Sequence, residues 1–292
     1  MLENASDRTE MAGTFDLLSG VLSPNSQVSL GPGGGVVLSS LSGGAAESRA
    51  QRGLSIKYVA SGTEVYRYGG RPYAVGANQF LIVPEGIAGD VEVRRTDGAS
   101  TWGLCMLLPP SPRLVTEHGL DEPMLFPAAC SDLGMMLARS LRKMKTSTQS
   151  RAELSKALVD TISGNLESCL EDATRSLDRL HALKSATRYE ALRRLNVARA
   201  YLHDVPHRTV ELAELANVAC MSRFHLLRSF RDCFGATPAA YHRRIRLERA
   251  RMEILLGSLT CAEAAQKYGF ADASSLSHAH VRMFGYPPTR NC

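Results

Sequence analysis

Hydrophobic and polar positions follow two different rhythms along this chain. From about Gly53 to Pro109, short runs rich in Val, Ile and Tyr are broken by turn formers. The runs are Ile56 to Val59, Gly62 to Tyr68, Pro72 to Val75, Gln79 to Val83, Val91 to Arg94 and Trp102 to Leu108, with Gly69-Gly70, Pro84 to Gly86 and Asp97-Gly98 between them. Short strands at close, regular spacing predict an antiparallel sandwich or barrel. Beyond Ser131 the period lengthens: Leu133, Met136, Leu137 and Leu141 fit one helical face, and Leu154, Leu158, Ile162 and Leu166 recur every fourth residue. Such stripes predict amphipathic helices that pack on the sheet, on a partner subunit, or on both. Ahead of the strands, Ser23 to Ser26 and Gly31 to Gly35 are too rich in turn formers for a regular element, so residues 1–52 are expected to form a flexible arm.

The C-terminal third is self-similar at a long period, the mark of a repeated structural unit. Leu215-Ala216, Leu226, Phe234-Gly235 and Pro238 reappear as Ala264-Ala265, Leu276, Phe284-Gly285 and Pro288, offset by 49 residues at the first pair and 50 afterwards. The second copy therefore has one extra residue inside its turn. Each copy reads as a short helix, a tight turn and a second helix ending at Gly235 or Gly285, where glycine takes the left-handed stop. Ser222 and Asp272 occupy the N-cap positions of the second helices, and Thr260 with Glu263 makes a capping box. Tyr241, Leu247, Ala250 and Ile254 predict one connecting helix between the copies. A helix pair joined by a tight turn presents its second helix to the major groove, and two such units on a rigid connector read grooves roughly 34 Å apart on one DNA face.

Charge points the same way. The 292 residues hold 34 Lys plus Arg against 29 Asp plus Glu, with 44% apolar and 6% aromatic positions, enough to bury the cores of two ordinary domains and too regular for a collagen-like or disordered chain. From 185 to 292 there are 16 basic and 9 acidic residues, and 15 of those 16 are arginine; residues 1–184 hold 18 and 20. A basic module joined to a slightly acidic one suits a nucleic-acid binder with a separate sensing or assembly part, although a solvated arginine-rich face has the same composition. No apolar run approaches the roughly 18 to 20 residues of a membrane span, Met1 to Glu10 lacks the pattern of a signal peptide, and the seven cysteines lie scattered with no metal or redox spacing. A cytoplasmic protein with no membrane partner is expected.

The residues Ala216, Met221-Ser222, Leu226, Arg228, Phe230, Gly235, Pro238, Tyr241, Arg246-Leu247 and Ala250, followed by Glu263, Ala265, Gly269-Phe270, Asp272, Ser275 to Ser277, Phe284-Gly285 and Pro288, resemble the DNA-binding domain of AraC/XylS transcriptional regulators. The resemblance implies a first reading helix from Ser222 to Phe234 that buries Leu226, Phe230 and Phe234 and turns Arg223, Phe224, Leu227, Arg228 and Arg231 toward DNA. It implies a second from Asp272 to Phe284 offering Ala273, Ser274, Ser277 and His278, with Arg282 near the backbone. Arginine forks bond two acceptors on guanine or a phosphate, and apolar side chains meet thymine methyls. The first copy is expected to supply most of the affinity. His278 stands where the first copy has arginine, and His280 takes the buried aromatic place of Phe230, where a satisfied core histidine is the expectation. Of the connector arginines 243, 244, 246, 249 and 251, most are expected to be solvated or paired with Glu248 and Glu253.

The strand-rich segment, through Tyr68 to Tyr73, Gly76 and Phe80 to Gly86, is similar to the cupin-like sensor barrel of the same family. A metal-binding cupin carries histidine three residues after the glycine of its Pro-x-Gly turn; here that place is Gly89, and only His118 and His181 occur before residue 185. No metal, no cofactor and no catalysis are expected, since no nucleophile-elbow or phosphate-cradle pattern occurs either. The fold class that follows is α+β: a flexible arm (1–52), a cupin-like β-barrel sensor (53–130), a helical dimerisation or linker segment (131–186) and an all-α double helix-turn-helix (187–292). The resemblance implies double-stranded promoter DNA, RNA polymerase, a small-molecule effector and a second copy of the chain as partners. Two alternatives stay open: a thiol-based sensor of electrophiles or redox state using Cys105, Cys130 or Cys169, and an assembly protein that binds DNA without sequence preference.

Overall fold

The computed structural model describes residues 15–22, 34–48, 53–93, 100–109, 122–146, 151–180 and 185–288. The Asp97-Gly98 turn, the Ser23 to Ser26 segment, His118 and His181 lie outside them. The architecture is α+β. Among the described residues nine strands form one sheet: β1 (Phe15–Leu22), β2 (Gly35–Ser48), β3 (Ser55–Ser61), β4 (Glu64–Tyr68), β5 (Arg71–Val75), β6 (Gln79–Val83), β7 (Gly89–Val93), β8 (Thr101–Leu107) and β9 (Met124–Pro127). Their order is β5-β4-β7-β2-β8-β3-β6-β9, antiparallel throughout, with β1 added parallel to β2. The sheet curls until it nearly closes on itself. Tyr66, Tyr68, Tyr73 and Val75, from one end of the strand order, share a single buried cluster with Val59, Leu81, Val83 and Leu125, from the other. Around this cluster the inward face is apolar, burying each such side chain contributing on the order of 2 kcal/mol, and beside it lie the buried polar residues Ser55, Lys57, Glu64 and Thr101.

The strands expected between residues 53 and 109 are all present. The flexible arm is a correction, because residues inside 1–52 supply β1 and β2, and β2 lies between β7 and β8 in the middle of the sheet. Glycines there serve strand contact instead of turning. At Gly44 a Cβ would lie 2.1 Å from the Leu22 carbonyl oxygen, so only glycine lets β1 approach.

Two helices follow, α1 (Asp132–Thr146) and α2 (Arg151–Asp178). Leu133, Leu137, Leu141 and Met144 are buried on α1, and Leu158, Ile162 and Leu166 on α2. Most of the stripe that pointed to a partner subunit is thus buried within the chain, with Leu154 half-buried.

The chain divides into two compact units between Thr174 and Arg175. The second begins within the last turn of α2, earlier than the charged stretch near 187, because the Arg179 guanidinium donates to the Cys233 carbonyl at 3.1 Å and the Cys233 thiol to the Ser176 carbonyl at 3.8 Å. It continues through α3 (Ser185–Asp204), α4 (Leu212–Val218), α5 (Arg223–Phe234), α6 (Pro238–Leu255), α7 (Cys261–Lys267) and α8 (Ala273–Phe284). Pro238 at the start of α6 and the Thr237 cap set the connector's first turn. Its early residue Tyr241 packs on Phe230 and Phe234. Farther along, Leu247 and Ala250 join Ala264, Ala265, Tyr268 and Leu276 in one core cluster. One rigid helix therefore fixes both helix-turn-helix units, α4 with α5 and α7 with α8.

Candidate nucleic-acid interface

Both units are built from the caps read in the sequence. The Ser222 hydroxyl accepts from the His225 amide at 3.3 Å to start α5, and Gly235 ends it in the left-handed region. Asp272 accepts from the Ser275 amide at 2.7 Å, and the Ser275 hydroxyl accepts from the Asp272 amide at 3.0 Å, a closed capping box that starts α8; Gly285 ends it. Each capped N-terminus also leaves backbone N–H groups facing outward, where an anion is favoured.

Burial sorts α5 into two faces. Leu226, Ser229, Phe230 and Cys233 are buried, while Arg223, Phe224, Leu227, Arg228 and Arg231 are exposed, Phe224 to 76%. A large aromatic left in water at the start of a helix, flanked by arginines, is what a base-edge contact requires. Phe234 is half-buried and not part of the sealed core: its ring lies 4.7 Å from Phe230 and is capped on another side by the Arg199 guanidinium at 4.6 Å. Arg228 faces Asp232 at 3.8 Å, an exposed pair too weak to withhold the guanidinium from a phosphate.

On α8 the buried residues are Leu276 and His280. Ser274, His278 and Arg282 are exposed, whereas Ala273 and Ser277 are half-buried. Three arginines on the outer face of α5 thus correspond to one on that of α8. His280 is half satisfied among the described residues: its Nδ1–H donates to the Tyr286 carbonyl at 2.6 Å, while the buried Nε2 has no hydrogen-bond partner among them. The rings of Phe284 and Tyr286 lie 4.6 and 5.3 Å away.

A family model described as "Helix-turn-helix domain" matches residues 215–290. A putative AraC-like transcription regulator of Streptomyces lividans is 37% identical over 87 residues, which is 30% of this chain and 29% of that one. The RCS-specific HTH-type transcriptional activator RclR of Escherichia coli K12 is 33% identical over 95 residues, 32% of this chain and 34% of that one. This domain belongs to the AraC family. The match spans about a third of each relative's own length, so it speaks for the domain alone. A crystal structure of ToxT from Vibrio cholerae O395 aligns over 88% of this chain and 95% of that one at 11% identity and a TM-score of 0.33, too distant to inform any residue.

The AraC-type domain also depends on residues whose role the sequence pattern hid. Both turns are Schellman motifs: Met221 N–H donates to the Ala216 carbonyl at 2.9 Å, and Phe270 N–H to the Ala265 carbonyl at 2.8 Å. The left-handed position of the motif is Cys220 (φ 51°) in the first turn and Gly269 (φ 67°) in the second. Cys220 is exposed. An arginine from the helix that leads into each unit seizes the carbonyl at each of these positions. Arg194 of α3 donates to the Cys220 oxygen at 2.7 Å. Arg246 of α6 donates to the Gly269 oxygen at 2.5 Å, the Tyr268 oxygen at 2.7 Å and the Thr209 hydroxyl at 3.2 Å, and stacks on Phe270. Arg246 is therefore buried structure and not a solvated connector charge. Of the remaining expectations, Arg244 does pair with Glu248 at 2.8 Å, but Glu253 takes Lys267.

Under the first unit, His203 Nε2 meets the Tyr241 hydroxyl at 3.1 Å. Burial, with Arg249, Arg199 and His242 nearby, lowers its pKa to about 4, so it is neutral at pH 7. Five cysteines, at 105, 130, 169, 220 and 233, are free thiols, and Cys261 is disulfide-bonded, which the scattered spacings did not suggest. Among the described residues no group of three or more His, Cys, Asp or Glu is placed to hold a metal, and no helix is long and apolar enough to cross a membrane.

Proposed function

We propose that the chain is a sequence-specific DNA-binding transcription regulator. The observation that carries this is the outer face of α5, where Arg223, Phe224, Leu227 and Arg228 stand exposed on a capped reading helix of an AraC-type domain. Arg223 and Arg228 read base edges or phosphates, Phe224 and Leu227 meet thymine methyls, and Arg231 grips the backbone. Ala273, Ser274, Ser277 and His278 adjust specificity at the neighbouring groove, and Arg282 adds a phosphate contact.

The N-terminal barrel, with the helical segment up to about 186, is the sensing part. It binds a small molecule and changes which promoter sites the two units occupy and whether RNA polymerase is recruited. The work is done on promoter DNA in the cytoplasm. Homodimerisation is the other role open to this part, now without the α2 stripe as support.

Footprinting over a salt series tests the reading. A discrete protected site of about two helical turns that survives competitor DNA is expected. Uniform protection that fades with salt and ignores sequence would instead make the domain a general polyanion patch.

A further inference from the structure

The barrel interior contains a cavity whose chemistry the DNA-binding reading leaves unused. It leaves about 80 Å³ for the centres of water-sized molecules, against the roughly 10 to 15 Å³ that one water needs, so it suits a small organic molecule. Strand register builds its polar wall. Lys57 on β3 lies opposite Cys105 on β8, which lies opposite Val37 on β2; positions two residues away on the same face bring in Ser55 and Ser39.

The donors and acceptors at this wall are unbalanced. Glu64 is fully engaged, one oxygen accepting from the Tyr66 hydroxyl at 2.5 Å and the other from the Thr101 hydroxyl at 3.0 Å. Lys57 is 8% exposed, and among the described residues its one hydrogen-bond partner is the Cys105 sulfur at 2.6 Å, with no carboxylate within hydrogen-bond distance. Ser55 is 6% exposed, and its hydroxyl has no partner among the described residues. Glu64 and Glu47 line the same cavity, but neither is hydrogen-bonded to Lys57, and a buried ammonium without a direct carboxylate partner is expensive to keep, so one kept facing a cavity is a candidate for use.

We infer that this cavity binds a small monocarboxylate, its oxygens held by the Lys57 ammonium and the Ser55 hydroxyl and its short alkyl group lying against Leu18, Leu22 and Leu41. The inference rests on the sensing half of the proposed function and names its ligand class. Lys57 stays protonated for the task. Burial works against the charge, but the facing Cys105 sulfur, Tyr68 and Glu64 outweigh it and raise the pKa above the ordinary lysine value. A protonated amine does not attack a carbonyl, which separates carboxylate capture from imine formation.

The test uses the full chain and butyrate as the probe, titrated calorimetrically at constant ionic strength. Butyrate is expected to bind saturably, and butyramide, of the same shape without charge, about tenfold or more weakly, the usual worth of a charge-assisted hydrogen bond. Lys57→Met is expected to lose binding by a similar factor and Ser55→Ala by about threefold to tenfold. Because a barrel variant can misfold, a second readout uses the native chain: butyrate should slow iodoacetamide labelling of Cys105, which lines the cavity, and leave the exposed Cys220 unaffected. Equal binding of butyramide, equal competition by chloride, undiminished binding to a folded Lys57→Met chain, or unprotected Cys105 would each overturn the inference. Footprinting runs in parallel. A discrete DNA site without butyrate binding sinks only the ligand, while butyrate binding without any DNA site sinks the regulator and leaves the cavity assignment standing.

Discussion

In the first helix-turn-helix unit the turn spans the four residues from Ala219 to Ser222, places a non-glycine residue in the left-handed region, and is tied down by one half-exposed arginine. In the second the turn spans the five residues from Tyr268 to Asp272, has glycine at the same position, and is clamped by a buried arginine with three hydrogen bonds. The outer faces are reversed in investment: three exposed arginines on α5, one on α8. Exposed positive charge and internal bonding are distributed to different copies. A repeat therefore does not imply equal duties, and stability and DNA affinity are separable by choosing which copy to disturb.

The largest effect is expected from the clamps. Arg246→Met strands the buried Tyr268 carbonyl and also loses the part-buried bonds to Gly269 and Thr209, which should cost the second unit about 2 to 3 kcal/mol, while Arg194→Met, whose carbonyl faces water, should cost below about 1 kcal/mol. Hydrogen exchange of the α5 and α8 amides in the full chain reads the two losses separately. Equal losses would erase the contrast between the copies.

Next in size comes DNA affinity. Arg228→Ala and Arg223→Ala should each weaken operator binding by roughly 1 to 3 kcal/mol, and the joint change of Ser277 and His278 to alanine by about 1 kcal/mol or less. Anisotropy titrations on the footprinted site decide it. If the α8 change abolished binding as completely as Arg228→Ala, the assignment of grip to the first copy would fail.

Acid should also separate the copies. His203 supports the first unit through Tyr241, and its pKa is about 4 in the folded chain, against about 6.5 unfolded. Between those values the unfolded chain holds the extra proton, so this contribution is complete above about pH 6.5 and lost as pH falls through about 4. A fall from pH 7 to 4.5 should cost about 2 kcal/mol, seen as faster exchange in α5, and His203→Gln should remove that slope. An unchanged slope in the variant would place the acid sensitivity elsewhere.

The C-terminal domain was legible because its helices carry their own start and stop signals. Ser222, Asp272, Thr260 with Glu263, Gly235 and Gly285 all act as caps in the places read for them, and the one-residue difference between the copies proved to be a longer turn. The barrel was legible only where strands alternate visibly between turns. β1 and β2 were lost because the turn formers Ser23 to Ser26 and Gly31 to Gly35 set the reading of the whole segment, and Gly44, which permits close strand contact, looks in one dimension like the glycine of a loop. β9, four residues long, has no period to detect. Arg246 was hidden for another reason: its partners Tyr268 and Gly269 lie 22 and 23 residues away and offer backbone oxygens, which carry no residue signature.

The smallest predicted effect probes the turn itself. A left-handed conformation costs an L-residue with a Cβ about 1 kcal/mol, which glycine avoids, although glycine also loses more freedom on folding. Cys220→Gly should therefore stabilise the first unit by somewhat less than about 1 kcal/mol, since the site is exposed and nothing else is lost. Gly269→Ala should destabilise the second by more than about 1 kcal/mol, because its new Cβ would stand 3.1 Å from the Arg246 guanidinium and 3.2 Å from the His207 carbonyl oxygen. The two substitutions exchange the residue class between equivalent positions, so opposite signs in thermal unfolding are the required outcome. Losses at both sites would mean that the Cys220 side chain contributes something the turn geometry does not contain, and the first unit would then be specialised at its turn as well as on its reading face.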